Sequence, residues 1–404
     1  MKILFITNNF PFPPRNGVEL PLAKNAEALS KRGHRIYFCL VYEDKVDIVD
    51  INRIQEKPDF VKGCFLVQAI KISKAKKILN EITLRNLAYY QGHYNIEQMK
   101  RAFSDLKFDL LWASPDGLAG FCEVYKTLFY SGAISLIGIN ELYYRNLLAQ
   151  IRLKVGIFGI LKSLLRIPFV YLLEKKMYRR ADIVAVQTDV ERLAAEKMLQ
   201  NCSTKVITLP NGYKEELLKI SPDFSSQNIL FMTTVSREGE LIWFLKNCWL
   251  EIKKRMPGAS LLIVGETSEG LKKRYSVMPG INWLGFVDDL PSVMSRVALC
   301  IIATNKNVGL INRVVDALAA GVPVLGFQRA LETVNGFRPG VHGETFRNKE
   351  ELIEKTVNLA LNIPRLKELS ENGRKFVVSI NSWSNNAERV ESLVKNIKKT
   401  AMTQ

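Results

Sequence analysis

Two polar side chains, Arg313 and Asp316, interrupt an otherwise apolar run in the stretch Asn305 to Phe327, NKNVGLINRVVDALAAGVPVLGF. Three residues apart, they occupy neighbouring positions on one helical face. The spacing supports two chemistries. One is an ion pair that steadies the helix by roughly 0.2–0.5 kcal/mol. The other is a binding site in which amides at a helix start hold a phosphate, Arg313 neutralises its charge and Asp316 accepts hydrogen bonds from hydroxyls. A second polar pair, Asn140 and Glu141, follows the apolar run Ile134 to Ile139. Glu141 offers either a general base for a hydroxyl or a solvated loop carboxylate. His34, His93 and His342 are far apart, and the six cysteines contain no CxxC pair. No metal centre is expected from them, and the thiols read as free.

The elements that must position Arg313 and Asp316 are legible around them. Val297 to Ala303 is apolar and β-branched, Leu310 to Ala320 has a helix-compatible pattern, Gly321 breaks it, and Val322 to Phe327 is apolar again. That order reads as strand, loop, helix, turn and strand in a buried parallel sheet, whose ligands bind beyond the carboxyl ends of the strands. The same alternation runs through the chain: strands at Lys2 to Thr7, Arg35 to Val41, Asp109 to Ala113, Ile134 to Ile139, Ile183 to Gln187 and Lys205 to Leu209, then at Ile229 to Val235 and Ser260 to Val264. The expected fold class is α/β. The first loop, NNFPFPPRNG, lacks the GxGxxG fingerprint of a nicotinamide site. Polar, turn-rich SPDFSSQN (221–228) is the expected linker between a first domain, 1–220, and a second, 229–380.

The 404 residues suffice for two cores, and 47% apolar with 24% charged residues describes a soluble globular protein. Fifty-seven basic against 40 acidic residues give a net charge of +17. Such a balance attracts nucleotides, nucleic acids and anionic membranes alike, and no zinc-finger, helix-turn-helix or basic–aromatic RNA motif favours nucleic acid. Between Arg145 and Arg180 lie nine Lys or Arg residues and one acid, Glu174. Val155 to Leu161 and Ile167 to Leu173 are too short to span a bilayer. The segment fits either an anionic membrane surface, engaged through Arg152, Lys154, Lys162 and Arg166, or packing against the first sheet. MKILFITNNF reads as a buried first strand rather than a signal sequence, so a cytoplasmic protein is expected.

The block GLINRVVDALAAGVPVL, Gly309 to Leu325, resembles the donor-site signature of retaining glycosyltransferases of family 4, Gly-x-x-x-Lys/Arg-x-x-Glu-Ala-x-A-x-Gly-x-Pro-Val. RRADIVAVQT, VITLPNGY, PGASLLIVG and LGFVDDLP resemble further segments of that family. The resemblance implies two Rossmann-like domains facing a cleft, the GT-B arrangement, and transfer of a sugar from a nucleotide-diphosphate donor to a hydroxyl without a metal or cofactor. The acceptor would be a saccharide or a lipid-linked molecule, as in polysaccharide or glycolipid assembly. It places Gly309, Asn312 and Arg313 at the donor, Arg313 facing the diphosphate and Asp316 the ribose. Gly17 in the first loop and Asn140 would contact substrate, and Arg237 would face the phosphates. The last helix, 383–404, would cross back to the first domain near Trp383. Two positions depart from the family pattern: Val308 stands where a second carboxylate is common, and Ile242 where a lysine is. These departures keep alive a binding protein without catalysis, beside an epimerase or hydrolase on the same scaffold.

Overall fold

Ile3, Leu4, Phe5 and Ile6 are all buried because both faces of their strand are covered by other elements. In the computed structural model, which describes all residues except 16, 44, 71–92, 152–156, 306–308 and 403–404, they lie in β1 (Lys2–Thr7). Parallel neighbours are β2 (Arg35–Tyr42), β3 (Val61–Gln68), β4 (Leu110–Ala113), β5 (Ile134–Ile139), β6 (Ile183–Val186) and β7 (Lys205–Thr208), in the order β3-β2-β1-β4-β5-β6-β7. Strand alternation sorts the side chains into two layers. Ile3 and Phe5 pack with Phe38 and Trp112 on one face, Leu4 and Ile6 with Tyr37, Phe108 and Phe121 on the other. Phe5 stacks between Phe38 and Trp112 with ring centroids 5.2 Å away on each side. Each such fully buried side chain contributes roughly 1.5–3 kcal/mol.

Helices of the first unit are α1 (Glu19–Lys31), α2 (Ile48–Gln55), α3 (Ile96–Phe103), α4 (Ala119–Leu128), α5 (Tyr143–Ile151), α6 (Ile157–Tyr178) and α7 (Asp189–Leu199) among the described residues. One continuous helix, α6, joins the two apolar runs that the sequence separates, with Pro168 inside it. Arg152, Lys154, Val308 and the basic run Lys71 to Lys77 lie outside the described residues.

The second sheet repeats the plan. Its strands β8 (Asn228–Met232), β9 (Ser260–Val264), β10 (Ile281–Gly285), β11 (Leu299–Ile302), β12 (Val324–Phe327) and β13 (Glu344–Phe346) run parallel in the order β10-β9-β8-β11-β12-β13. Following β8, α8 (Glu238–Phe244) continues through a π-helical turn at 245–249 into α9 (Leu250–Arg255). Next come α10 (Glu269–Tyr275), α11 (Leu290–Met294), α12 (Asn312–Ala319), α13 (Gln328–Leu331), α14 (Lys349–Ala360), α15 (Ile363–Ile380) and α16 (Trp383–Met402). The strand expected to reach Val235 ends at Met232, and the loop expected after Phe327 begins with the short helix α13.

Two compact units result, 1–211 with 383–404, and 212–382. The division therefore falls between Asn211 and Gly212 and not in 221–228. Residues 212–220 belong to the second unit because Leu217 and Ile220 are buried in its core. Polar, turn-rich sequence marked a surface loop there, and the apolar residues just before it carry the packing that decides membership. Helix α16 belongs to the first unit: Ala387, Val390 and Val394 enter its core, and Arg32 pairs with Glu391 at 2.7 Å. Asn386, also buried, donates from Nδ2 to Pro210 O at 2.7 Å.

Gly265, which follows β9, adopts φ of +112°, and a Cβ there would stand 1.9 Å from the Thr233 carbonyl oxygen. Gly265→Ala is expected to destabilise the second unit by on the order of 3 kcal/mol or more, through overpacking and backbone strain. Gly270→Ala, inside α10 with nothing near the added carbon, is expected to leave stability unchanged or raise it by up to about 1 kcal/mol. Urea denaturation of both variants checks the contrast.

Candidate functional site

The strand order of the second sheet reverses between β8 and β11. At such a switch point the loops leaving adjacent strands diverge and open a crevice beyond their carboxyl ends. Four groups meet at that point. Arg313, in the first turn of α12, donates from one terminal nitrogen to Met232 O at the end of β8. Its other terminal nitrogen donates to Glu240 Oε2 at 3.0 Å and to Thr304 Oγ1 at 2.7 Å. Thr304, just past β11, donates in turn to Glu240 Oε2 at 2.7 Å. On the other carboxylate oxygen, Glu240 accepts from Arg237 at 3.4 Å. Two guanidiniums thus share one carboxylate, which leaves one uncompensated positive charge in the cluster. Burial lowers the pKa of Arg313, an effect that Glu240 opposes and Arg237 reinforces.

Sequence reasoning named Arg237 and Arg313 but missed Glu240 and Thr304. A signal for Glu240 existed, since it follows Arg237 by three residues at the start of a helix. The two arginines have different surroundings: the Arg313 side chain is 16% exposed, that of Arg237 43%. Arg313 spends both terminal nitrogens on its own unit, so its immediate work is to tie α12 to β8 and α8. Arg237 is the more accessible cation.

Helix α12 is held at its far end as well. Gly321 takes φ of +71° to end it, and Arg374 donates to Ala319 O at 3.0 Å, to Ala320 O at 2.6 Å and to Ile220 O at 2.7 Å. A cation there complements the helix dipole and satisfies carbonyls that the helix leaves open. At the near end Gly309 turns the chain with φ of +67°, Ile311 precedes the helix without a side-chain cap, and half-buried Asn312 is its first residue.

Arg313 and Asp316 do not pair with each other. Asp316 turns to the segment after β7, where its carboxylate accepts the backbone N–H of Lys214. Burial pushes its pKa up to about 6, while the Lys214 charge and N–H pull it down and Glu216 adds to the rise. Half-buried and with one backbone donor, this carboxylate has room to accept further hydrogen bonds.

In the first unit, Asn140 follows β5 and accepts from Gln187 Nε2 at 2.8 Å. The two line a pocket at the carboxyl ends of β4, β5 and β6 with Trp112, Ser114, Gly138 and Asn211. Gly138 is needed there, because a Cβ would stand 2.8 Å from the Trp112 indole nitrogen. Glu141 accepts from the Asn146 side chain in α5, a local contact of the kind that fixes a helix entry. Gly17 lies in an exposed turn of the first loop. That loop is held from below by buried charges that the sequence did not single out: Arg53 donates to Phe12 O at 3.0 Å and pairs with Glu19 at 3.0 Å, and Asp50 accepts from Phe10 N at 3.2 Å. Among the described residues no group of three His, Cys, Asp or Glu side chains converges as a metal centre would.

Residues 226–362 match the family model described as glycosyl transferases group 1, about a third of the chain and all within the second unit. The two-sheet architecture is that of GT-B glycosyltransferases. Sucrose-phosphate synthase from Thermosynechococcus elongatus superposes with a TM-score of 0.69 at 16% identity, covering 99% of each chain. Anabaena HepE, solved in complex with UDP and glucose, gives 0.64 at 13% identity over 98% of this chain and 100% of that one. An uncharacterized glycosyltransferase of Methanocaldococcus jannaschii is 23% identical over 168 residues. That match spans 37% of this chain and 41% of the relative.

Asp316→Asn is expected to raise the thermal midpoint at pH 7.5, since it removes a carboxylate that folding holds in an unfavourable place. With a folded pKa of about 6 against an ordinary 3.8, Asp316 favours the folded state below pH 3.8, and that contribution disappears as pH rises through 6. The variant should therefore show a flatter stability profile across that window than the wild type, measured by thermal melts. Glu240→Gln should cost about 1–3 kcal/mol in urea denaturation, because Arg313 loses its countercharge while staying largely buried.

Proposed function

We propose that this chain transfers a glycosyl group from a nucleotide-diphosphate sugar to an acceptor hydroxyl, with retention of anomeric configuration and without a metal ion. The observation that carries the reading is the cluster of Arg237, Arg313, Glu240 and Thr304 at the switch point of the second sheet, inside the segment matching the glycosyltransferase family. An excess positive charge beside the start of α12 suits a diphosphate, which gains negative charge as the glycosidic bond to the sugar breaks. Arg237 meets the phosphates, Arg313 positions the amino end of α12, and Gly309 and Asn312 shape the approach to its amides. Asp316 accepts hydrogen bonds from the ribose hydroxyls, which supply the donors its carboxylate lacks.

On the first unit, Gly17, Asn140 and Glu141 are assigned to substrate contacts, with Glu141 accepting the acceptor proton. The acceptor is a saccharide or lipid-linked hydroxyl of polysaccharide or glycolipid assembly, and the work is done in the cytoplasm at the surface of an anionic membrane. One observation favours a second reading, a nucleotide-sugar binding protein that does not turn over: Ile242, where the family resemblance implies a lysine, packs against the core of the second unit and offers a ligand no charge.

Release of nucleoside diphosphate from a panel of nucleotide sugars, dependent on added acceptor, distinguishes the two readings. Ligand-induced thermal shifts identify the donor first, because binding stabilises the folded state by mass action. Arg237→Ala is expected to lower acceptor-dependent release by about 10- to 100-fold, the worth of a charge-assisted hydrogen bond, with little change in the melting temperature. Donor affinity should fall as pH drops through about 6, where Asp316 protonates, and Asp316→Asn should abolish that dependence. Donor binding without turnover under all acceptors would leave the binding reading standing, and unchanged affinity in both variants would remove these residues from the site.

A further inference from the structure

Helix α6 is apolar on two sides: Val170, Met177 and Tyr178 are buried, yet a second apolar face is left outside. Leu161, Leu164, Leu165, Phe169 and Leu172 are between 50% and 64% exposed, and Pro168 is exposed with them. Ser163 and Glu174, by contrast, are 2% and 0% exposed. The outward residues are spaced 3, 1, 3, 1 and 3 apart, which at 3.6 residues per turn gathers them into one arc of roughly 140° and about 16 Å long. Leu148 on the adjoining helix α5 adds a further exposed apolar side chain, at 44%.

The rotation of α6 is fixed by what faces inward. Glu174 accepts the backbone N–H groups of Tyr143 at 2.7 Å and Tyr144 at 3.1 Å, as well as the Tyr178 hydroxyl at 3.2 Å. Tyr178 also donates to Asp116 at 2.5 Å. Turning α6 to hide its leucines would bring a buried carboxylate out and strip the start of α5 of its acceptor, at the cost of several lost hydrogen bonds. The first unit therefore keeps a large apolar stripe in water, which soluble surfaces rarely do without a use for it.

We infer that this face of α6 inserts into the headgroup and acyl boundary of an anionic membrane. The occupant follows from the charges beside the stripe. From Arg145 to Arg180 the sequence carries nine cations, and its one acid, Glu174, is buried. Lys176 and Arg179 are exposed at the carboxyl end of the stripe, with Lys175 half-buried beside it and Arg180 exposed but paired with Glu123 at 2.6 Å. An apolar strip edged by cations matches a bilayer interface with anionic lipids. A second copy of the chain seated on the same face would set Lys176 and Arg179 against their own counterparts, with Glu123, already paired with Arg180, as the exposed acid beside them. The apolar strip is thus the anchor, and the four cations named from the sequence are at most its accompaniment. This inference rests on and deepens the membrane placement proposed above, while the chemistry assigned to the second unit is reported separately by nucleotide-induced thermal shifts.

The test is co-flotation of the full chain with phosphatidylcholine vesicles and with vesicles containing phosphatidylglycerol, at physiological salt. The wild type should float with the anionic vesicles, less so at high salt. Leu165→Gln, Phe169→Gln and Leu172→Gln combined should lower the partition coefficient by about 100-fold or more, on the basis of roughly tenfold for each apolar side chain withdrawn. All three side chains are exposed, so melting temperature and nucleotide shifts should be retained. Lys176→Gln with Arg179→Gln should weaken binding to anionic vesicles and flatten its salt dependence. Val277→Gln, which changes a residue 91% exposed in the second unit, should do nothing. Absence of wild-type flotation overturns the inference, as does equal flotation by the triple variant. A wild-type dimer in sedimentation velocity that the triple variant dissociates, without vesicle binding, would assign the face to self-association instead.

Discussion

One carboxylate, Glu240, sets the geometry of the second unit's candidate site. It accepts from Arg313, Arg237 and Thr304, so residues leaving β8, β11 and the first turn of α12 converge on a single group. An arginine as enclosed as Arg313 needs a countercharge, and a carboxylate as enclosed as Glu240 needs donors; each supplies what the other requires. The surplus of one guanidinium is what remains for a ligand. At the other end of α12, Arg374 gathers three carbonyl oxygens, so the helix is clamped between two arginines of different purpose. A helix held in this way presents its first amides in a fixed direction, which is the preorganisation that stabilisation of a developing charge demands.

The first unit relies on buried carboxylates in a comparable manner. Glu19 and Asp50, with Arg53, hold the proline-rich loop after β1 against the sheet. Glu174 and Glu191 hold the start of α5, through the backbone amides of Leu142, Tyr143 and Tyr144. In each case a charged group is kept in the interior because it satisfies main-chain donors that a loop would otherwise bury unpaired. These contacts determine where the loops beyond the strand ends run, and through α6 they also determine which side chains are left in water. Glu174 contributes to both, since it holds the start of α5 and faces α6 inward.

Asp316 illustrates how stability and binding oppose one another in such a site. It is half-buried with the Lys214 N–H as its backbone donor, a shortfall against the roughly four hydrogen bonds a carboxylate can accept, and burial raises its pKa. A ligand hydroxyl would make up that shortfall, so a placement that costs folding stability favours binding. Arg237 and Arg313 differ in what they contribute. The enclosed arginine gives order, and the exposed one keeps its charge available.

The alternation of apolar runs and helical periods was enough to read two parallel α/β sheets, because buried parallel strands must be apolar on both faces and cannot hide that pattern. Strand β5 was legible to the residue, and α12 to within two, since Gly321 and the apolar flanks leave no other reading. What no local pattern contains is the partner of each polar side chain. Glu240 lies 73 residues from Arg313, and Lys214 is 102 from Asp316, so the i to i+3 pair suggested by spacing gave way to two longer-range contacts. The unit boundary moved to Asn211-Gly212 for a similar reason, as Leu217 and Ile220 find their core only in three dimensions. Composition along the chain determined that the segment from 145 to 180 is basic and apolar; the tertiary structure decided which side of it faces water, because a single buried glutamate, recognisable only by the amides it accepts, sets the rotation of the helix.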